Sequence, residues 1–426
     1  MSPDVAGPSA ERRRILLAAW SELGSAEPTF WASVPGRTEL SGNHTDHQGG
    51  KVLAAAVDRD VVAYARPRTD GRIRIRSLGH GDLEVSTADL SPRDDDRETT
   101  VSLVRGACDG LARRGLPMAG FDAVVHGEVG AGEGLSSSAA FTVLVAYLAV
   151  EAAARLSDNG RELSQGLSPI VAAQVAQFAE QVHFGKPCGL MDQLACAVGG
   201  AALLDFRHPE NPRVEPVPLD LGHLGYSLVL IDTGSKHHDL TADYAAVPAE
   251  MGRVAHLLGA QRLVDVEAAA LGRRWAELRP QVGDRALLRA MHFFAEMARV
   301  EAQAEALERG EWRRFLALMS DSGLSSWTWL QNVVPAGADP GKQSVALALA
   351  VTQHCLGRLQ AQTPELPSAC RVHGGGFAGR IQVLLPSHQV PVLRRELAPL
   401  FGADAALETT IRAHGAVCGP LSGAPA

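Results

Sequence analysis

Cysteine is sparse in this sequence, and the cysteines that are present form no close pairs. Six of them are scattered along the 426 residues without any CxxC spacing. Closely spaced cysteines usually form zinc knuckles or disulfide frameworks, and this spacing offers neither. We therefore expect six structural thiols and a location in a reducing compartment, the cytoplasm.

An excess of positive charge and long apolar runs are also lacking. Asp and Glu number 48 against 40 for Lys and Arg, which leaves a net charge of −8. This balance gives no electrostatic reason to expect a nucleic-acid partner. No window reaches the roughly 18 unbroken apolar residues of a membrane-spanning helix, and the N-terminal residues lack the pattern of a secretory signal. We expect neither nucleic acid nor membrane as a partner.

What remains is the composition of an ordinary globular protein, with 46% hydrophobic and 21% charged residues. A chain of this length is expected to form more than one domain. His, Pro and Asn interrupt the pattern near Phe206–Pro216, which favours a boundary there. We predict two domains, residues 1–210 and 211–426.

Hydrophobic periodicity predicts a mixture of helices and strands. Val61–Pro67 and Arg72–Ser77 are predicted to form an antiparallel pair joined by a turn at 69–71. Ser137–Arg155 is predicted to be a helix that is apolar on nearly every side, and therefore buried. Further strands are predicted at Thr29–Val34 (leading into a turn), Phe121–Val129, Tyr226–Asp232, Ala369–His373 and Arg380–Leu385, and further helices at Glu11–Gly24, Pro169–Phe184, Gly189–Val198, Ala242–Leu258, Arg285–Arg309, Trp312–Ser322 and Ser344–Gln362.

A glycine-rich segment between a predicted strand and a predicted helix carries the first chemical signal. Glycines let backbone N–H groups approach phosphate oxygens closely, and the start of the following helix favours an anion. A tight turn capped by serine is the alternative interpretation. No lysine follows the glycines, so this is not a Walker A loop, and a dinucleotide fingerprint also fits poorly. The candidate phosphate-binding residues are Gly130, Gly132, Gly134, Leu135, Ser136, Ser137, Ser138 and Ala139.

Four segments together resemble the GHMP kinase superfamily and, within it, the galactokinase family. Val129–Ala140 resembles the GHMP phosphate loop, and GRTELSGNHTDH at residues 36–47 is similar to the galactokinase signature GRVNLIGEHTDY. CGLMDQ at residues 188–193 resembles the galactokinase sequence CGIMDQ, and RVHGGGFAG at residues 371–379 resembles the third GHMP motif, ARMTGGGFGG. The motifs occur in family order over nearly the whole chain, so the sequence is identified as a member of this family.

The resemblance implies an α+β fold of two lobes, S5-like at the N-terminus and ferredoxin-like at the C-terminus, with the reactants in the cleft between them. It also implies an enzyme that moves a phosphoryl group from ATP to a sugar hydroxyl with the help of Mg²⁺. D-Galactose, phosphorylated on its anomeric hydroxyl, is the first candidate for the acceptor. The expected assembly is a monomer or a weak homodimer.

The same resemblance implies catalytic roles for individual residues. Asp192 matches the general base of the family, and Arg37 matches the arginine that offsets negative charge. Glu180 matches the glutamate that holds Mg²⁺ on the nucleotide, with Ser138 as its preferred partner and Ser136 as the alternative. Taken without the motifs, Asp192 is also compatible with a helix cap and Glu180 with a solvated helix face.

Sugar binding is assigned by the same resemblance. Tyr244 matches a sugar-binding tyrosine of the family, although a core aromatic is an equally good interpretation of this residue. A metal cluster of His44, Asp46 and His47 is disfavoured, because no fourth ligand is evident. The candidate sugar-binding residues are Asn43, His44, Asp46, Gly189 and Tyr244.

Departures from the family pattern surround the acceptor site. Asn43 stands where the family has glutamate, which removes a negative charge, and His47 stands where it has tyrosine. These changes keep open a different acceptor, such as a uronic acid, an amino sugar or a cyclitol. A sugar-sensing regulator without catalysis is a further alternative, although the serines of the loop, Glu180 and Asp192 are all in place. The other departures are Val101, the segment Val247–Glu250, His373, Ala378 and Arg380.

Overall fold

Two β-sheets organise the chain in the computed structural model, which describes residues 7–24, 26–130, 134–157, 167–235 and 240–421. The strands are β1 (Phe30–Ser41), β2 (Lys51–Arg68), β3 (Arg72–Ser77), β4 (Gly81–Ser86), β5 (Gly120–Gly127), β6 (Ala201–Asp205), β7 (Arg213–Val217), β8 (Tyr226–Asp232), β9 (Ala369–Val372), β10 (Arg380–Pro386), β11 (Ala406–Thr409) and β12 (Val417–Pro420). The helices are α1 (Ala10–Ser21), α2 (Thr100–Arg113), α3 (Ser137–Arg155), α4 (Pro169–Phe178), α5 (Met191–Val198), α6 (Leu221–Leu224), α7 (Thr241–Leu257), α8 (Ala268–Arg273), α9 (Trp275–Val282), α10 (Asp284–Glu308), α11 (Trp312–Ser325), α12 (Ser344–Gln362) and α13 (Val390–Phe401). Helix α4 continues into a π-helical turn at Ala179–Phe184, and α11 into one at Ser326–Leu330.

The larger sheet has the strand order β12-β1-β2-β5-β3-β4, and β6 and β7 extend it through pairing of β6 with β2. The predicted pairing of β2 with β3 is wrong, because β5 lies between them, antiparallel to β2 and parallel to β3. The first six residues of β5 are buried on both faces, which favours a central position. Gly120 at its start packs so closely on β3 that a Cβ there would overlap the backbone of Arg72.

Helix α3 forms the centre of the larger lobe. It packs against β1, β2, α2 and α4. Among the described helices it is long and apolar enough to cross a membrane, but 72% of its apolar stretch is buried inside the protein. The prediction of a buried helix is confirmed, and its apolar surface is explained by packing within this lobe.

The first sequence motif forms a strand rather than a turn. Strand β1 runs through Pro35 and Gly36 to Ser41, well beyond the predicted end at Val34, and all twelve of its residues are buried. Its register against β2 shifts between Pro35 and Arg37 and again between Glu39 and Ser41. Such irregularities bend a strand and redirect its side chains, so the motif continues the sheet.

The smaller sheet has the order β11-β8-β10-β9, with antiparallel neighbours throughout. Its core includes Val229 and Val383 from the strands, Leu349 from α12 and Leu393 from α13. The chain passes from the larger sheet to the smaller one between β7 and β8. The boundary predicted at residue 210 lies earlier, in the β6–β7 hairpin, whose residues 208–211 form a turn. The division into residues 1–210 and 211–426 stays a prediction, since β12 near the C-terminus pairs with β1 in the larger sheet.

A buried polar contact joins the two sheets. Nη2 of Arg371 in β9 donates to Oε1 of Glu39 in β1 at 2.9 Å, and the two side chains are 0% and 2% exposed. Oγ1 of Thr38 donates to Oε1 of Gln382 in β10 at 2.8 Å. Burial raises the pKa of Glu39 to about 7, and the charge of Arg371 opposes this rise. The contact fixes the first motif against the strands around the third motif.

Replacement of Arg371 by methionine should lower the free energy of unfolding by about 3–5 kcal/mol, because it leaves the buried Glu39 without its charged partner. The matched control is Arg358→Met, since Arg358 pairs with Glu396 at 2.9 Å with both side chains well exposed. That exposed pair should contribute about 0–1 kcal/mol. Urea unfolding of the two variants measures the difference, and equal losses would contradict the importance of the buried contact.

Candidate active site

Asp192 lies in the first turn of α5, where two other elements meet its carboxylate. Nε and Nη2 of Arg37 from β1 both lie 2.8 Å from Oδ1. Oγ of Ser136, in the glycine-rich loop, donates to Oδ2 at 2.6 Å. The side chain of Asp192 is 26% exposed, so the carboxylate is held firmly and still reaches the surface of the site.

Arg37 also contacts the glycine-rich loop directly. Its side chain is 6% exposed. Nη1 donates to the carbonyl oxygen of Gly134 at 2.6 Å, and its backbone N–H donates to the carbonyl oxygen of Leu135 at 3.2 Å. The first motif and the glycine-rich loop, which the sequence separates by about ninety residues, are therefore one structural unit around Asp192.

The charge of Asp192 follows from these contacts. Burial on its own raises the pKa of Asp192, but Arg37, Lys186 and the bond from Ser136 together lower it below its usual value. Burial likewise lowers the pKa of Arg37, and Asp192 more than reverses this effect. Asp192 is therefore ionised at neutral pH and able to accept a proton, as a general base must.

The glycine-rich loop leads into the start of α3. Ser136 adopts a left-handed conformation with φ 62° and ψ 52°, and its side chain makes no capping bond to the helix. The alternative of a serine-capped turn is therefore wrong, since this hydroxyl is bonded to Asp192. Ser137, Ser138 and Ala139 form the first turn of α3, Leu135 is fully buried, and Gly130 and Gly134 flank the loop. Gly132 lies outside the described residues.

Glu180 lies in the π-helical turn after α4 and is 1% exposed, so the alternative of a solvated helix face is wrong. Oε2 lies 3.2 Å from Nζ of Lys186. Oε1 is buried without a hydrogen-bond partner among the described residues. Unpaired buried carboxylate oxygens are costly, and hard oxygen atoms suit Mg²⁺. The carboxylate therefore fits the metal-binding role, although no cluster of three or more His, Cys, Asp or Glu side chains within the described ranges forms a site by itself.

Asp46 and Gly189 come together just before the start of α5, the helix that carries Asp192. Asp46 begins a short 3₁₀ turn, and Gly189 precedes α5 by two residues. A Cβ on Gly189 would overlap the carboxylate of Asp46. His47 lies nearby, with Nε2 3.7 Å from Oδ1 of Asp46. The glycine therefore allows this carboxylate to approach the chain just before α5.

Three candidate sugar-binding side chains contact the third motif. Nδ2 of Asn43 donates to the carbonyl oxygen of Gly374 at 2.6 Å, and Oη of Tyr244 donates to that of Gly376 at 2.8 Å. Nε2 of His44 lies 2.9 Å from the carbonyl oxygen of Gly375. A carbonyl oxygen only accepts, so Nε2 carries the hydrogen and Nδ1 is left as an acceptor. These contacts hold the glycine loop of the smaller lobe over the acceptor side.

His44 is neutral in this arrangement. Burial lowers its pKa to about 3, with help from the nearby His47. Its Nδ1 atom is buried and has no partner in the part of the chain that the structure describes. The rings of His44 and Tyr244 stack with centroids 6.5 Å apart, and Tyr244 meets Phe377 edge to face at 5.4 Å. Tyr244 is therefore both a packed aromatic and a residue at the site.

Comparisons with known proteins decide the family. The galactokinase galactose-binding signature matches residues 21–67, and the GHMP kinases N terminal domain matches residues 102–200. The galactokinase of Chloroflexus aurantiacus is 33% identical over 382 residues, 88% of each chain. That of Streptomyces coelicolor is 31% identical over 408 residues, 95% of each chain. The chain belongs to the galactokinase family.

Solved structures agree with this membership. Lactococcus lactis galactokinase, complexed with galactose, has a TM-score of 0.78 at 21% identity and covers 96% of this chain and 100% of its own. A mevalonate kinase has a TM-score of 0.58 at 14% identity, covering 90% of this chain and 99% of its own. The α+β fold of two lobes is confirmed. Membership of this family shows that the protein is a sugar kinase, which is a phosphotransferase with an alcohol group as acceptor. Its small-molecule partners are a sugar and ATP.

Asn43, which replaces a glutamate of the galactokinase motif, lies in the buried polar core. It is fully buried, and its Nδ2 donates to Oε1 of Glu39 at 2.9 Å as well as to Gly374. Its Oδ1 accepts from Nδ2 of Asn332 at 2.6 Å and from Oγ of Ser326 at 3.3 Å. Protein groups thus use all four hydrogen-bonding positions of the amide. Its direct contact with a sugar stays a prediction.

Two residues of the site escaped the sequence analysis. Asn332 follows the π-helical turn of α11, and its Nδ2 bonds both Asn43 and the carbonyl oxygen of Gly375, at 3.0 Å from the latter. It belongs to none of the four galactokinase and GHMP motifs, so no signal indicated it. For Lys186 the sequence did contain a signal. Lysine is rare in this chain, which has four, and Lys186 lies two residues before the CGLMDQ motif.

Replacement of Gly189 by alanine should raise KM for the acceptor sugar by more than about tenfold, because the new methyl group would overlap and displace the carboxylate of Asp46, a candidate sugar-binding residue. The matched control is Gly272→Ala, since Gly272 lies in a helix and a Cβ there meets nothing within 4 Å. Steady-state kinetics of both variants measure the effect, with circular dichroism to verify folding. An unchanged KM in the Gly189 variant would contradict the tight approach.

Proposed function

We propose that this enzyme transfers the terminal phosphoryl group of ATP to the anomeric hydroxyl of D-galactose, in a Mg²⁺-dependent reaction. The observation that supports the chemistry best is the carboxylate of Asp192, which is held by Arg37 and Ser136 and is still partly exposed. A fixed, ionised carboxylate beside the start of a phosphate-binding helix suits proton removal from a hydroxyl next to a bound phosphate.

In this mechanism Asp192 takes the proton of the acceptor hydroxyl as its oxygen attacks the terminal phosphorus. The bond from that phosphorus to the leaving ADP breaks at the same time. Arg37 keeps Asp192 oriented and offsets the negative charge that gathers in the site. Glu180 and Ser138 would hold Mg²⁺, which supplies further neutralisation of phosphate charge.

Galactose is supported as the acceptor by the relatives rather than by one contact. Two family members named galactokinase match 88% and 95% of the chain, and the Lactococcus enzyme has been crystallised with galactose. In the motif alone, asparagine in place of glutamate at position 43 suggests a different acceptor sugar. In the structure the Asn43 amide is bonded to protein groups, so the substitution is weaker evidence for another sugar. His44, Asp46, Gly189 and Tyr244 remain the proposed sugar-binding residues.

The remaining features of the proposed protein are those of a small-molecule enzyme. We propose a cytoplasmic monomer or weak homodimer, without a nucleic-acid or membrane partner. The net charge of −8 supports this proposal, since it provides no attraction to anionic surfaces. Size-exclusion chromatography with light scattering tests the assembly directly.

The test of the proposed function is ATP consumption with Mg²⁺ across a panel of free hexoses, uronic acids, amino sugars and cyclitols. We expect galactose to give the strongest response, with the phosphate on the anomeric carbon by NMR. Turnover of another member without galactose would keep the mechanism and overturn the acceptor. Binding of sugar or ATP without turnover of any member would point instead to a sugar-sensing protein.

Asp192→Asn should reduce kcat by about 100-fold or more, because the amide cannot accept the proton of the acceptor hydroxyl. ATP binding should persist, since the loop and α3 remain in place. Asp321→Asn, at an exposed position, is the control for a lost carboxylate elsewhere. Single-turnover kinetics and calorimetric ATP binding measure the two properties, and full activity of the Asp192 variant would remove this mechanism.

A further inference from the structure

Lys186 is a charged residue at the site to which none of the four motifs gives a role. It follows the π-helical turn that carries Glu180, and its backbone N–H donates to the carbonyl oxygen of Glu180 at 2.9 Å. Its Nζ lies 3.2 Å from Oε2 of the same residue. Backbone and side chain together therefore hold the ammonium group against the proposed metal ligand.

The two members of this pair differ sharply in exposure. The side chain of Lys186 is 47% exposed, whereas that of Glu180 is 1% exposed. The ammonium group therefore lies nearer to solvent than the carboxylate. Because Oε1 of Glu180 has no partner among the described residues, the carboxylate can accept a second cation. A metal ion bound there would weaken the hold of Glu180 on the lysine, since the two cations repel each other.

The charge of Lys186 also acts on the acceptor side of the site. After Arg37, it is the largest charge that lowers the pKa of Asp192 against the effect of burial. Burial raises the pKa of Tyr244, and Lys186 is the largest charge that opposes this rise. Lys186 thus lies close enough to influence the proposed metal ligand, the base and a proposed sugar-binding residue. In the proposed mechanism, the terminal phosphate of ATP lies between the metal held by Glu180 and the acceptor hydroxyl at Asp192.

Few positively charged side chains are available for a bound phosphate. The glycine-rich loop contains no lysine, and the chain has four lysines altogether. Arg37 already uses Nε, Nη1 and Nη2 in bonds to Asp192 and Gly134, so much of its donor capacity is engaged inside the protein. The ammonium group of Lys186 has three donors, and among the described residues its partner is Glu180. It is therefore well suited to meet an additional anion.

We propose that Lys186 is a catalytic residue that pairs with Glu180 before the nucleotide binds and contacts the terminal phosphate of ATP during transfer. This inference rests on the proposed function. Lys186 neither gives nor takes a proton: the proton of the acceptor hydroxyl goes to Asp192, and the ammonium stabilises charge on the transferred group. A lysine side chain carries its positive charge at neutral pH, as this role requires.

The test compares the binding of ATP and ADP, each with Mg²⁺, to Lys186→Met and wild type by calorimetry without any acceptor sugar. We expect the variant to lose about 10- to 100-fold in ATP affinity, the value of one charge-assisted hydrogen bond. ADP affinity should change less than about threefold, because ADP lacks the terminal phosphate. Lys342→Met, which removes the same charge from an exposed loop, should change neither affinity.

If Lys186 only paired with Glu180 and did not contact the terminal phosphate, its replacement would not distinguish ATP from ADP. Equal losses for ATP and ADP, or no loss for either, would overturn the proposal. Lys186→Arg should keep most of the ATP affinity, and Lys186→Gln repeats the test if the methionine variant does not fold. Because no acceptor is present, the outcome does not depend on whether galactose is the substrate, which the acceptor panel tests separately with wild-type enzyme.

Discussion

The carboxylate of Asp192, held by the guanidinium of Arg37, is the interaction on which the rest of the site depends. A carboxylate in this position is partly withdrawn from water, and burial alone would raise its pKa. Arg37 is itself buried, and Asp192 is the largest charge that opposes the effect of burial on its pKa. Each charge therefore stabilises the other. The bond from Ser136 then positions the glycine-rich loop around them.

The second constraint is the third motif of the smaller lobe. Its carbonyl groups at Gly374, Gly375 and Gly376 accept bonds from residues of the first motif and from Tyr244. Together with the buried pair of Glu39 and Arg371, these bonds fix the two sheets around one cleft. Buried polar groups must be paired, so the hydrogen bonds that satisfy these residues also determine where the lobes meet.

Much of the fold and the site was predictable because local sequence carried the information. The apolar helix α3, the strands of the smaller sheet and the positions of Asp192, Arg37 and Glu180 follow from periodicity and from short motifs. The pairing of β2 with β3 was wrongly predicted, because the insertion of β5 between them depends on a strand more than forty residues later. The partners of Asn43 were equally inaccessible, since Ser326 and Asn332 lie about 280 residues away in the chain.

The sequence by itself determined the family and the chemistry and pointed to Asp192 as the proposed base, because four motifs of fixed spacing specify backbone shapes and side chains that act locally. The tertiary structure decided what each charged or polar group contacts. Asn43 lies in the buried core, Ser136 is bonded to Asp192 instead of capping α3, and Lys186 lies against Glu180. Burial and hydrogen bonding depend on residues distant in the chain, so these contacts exist only once the two lobes have packed together.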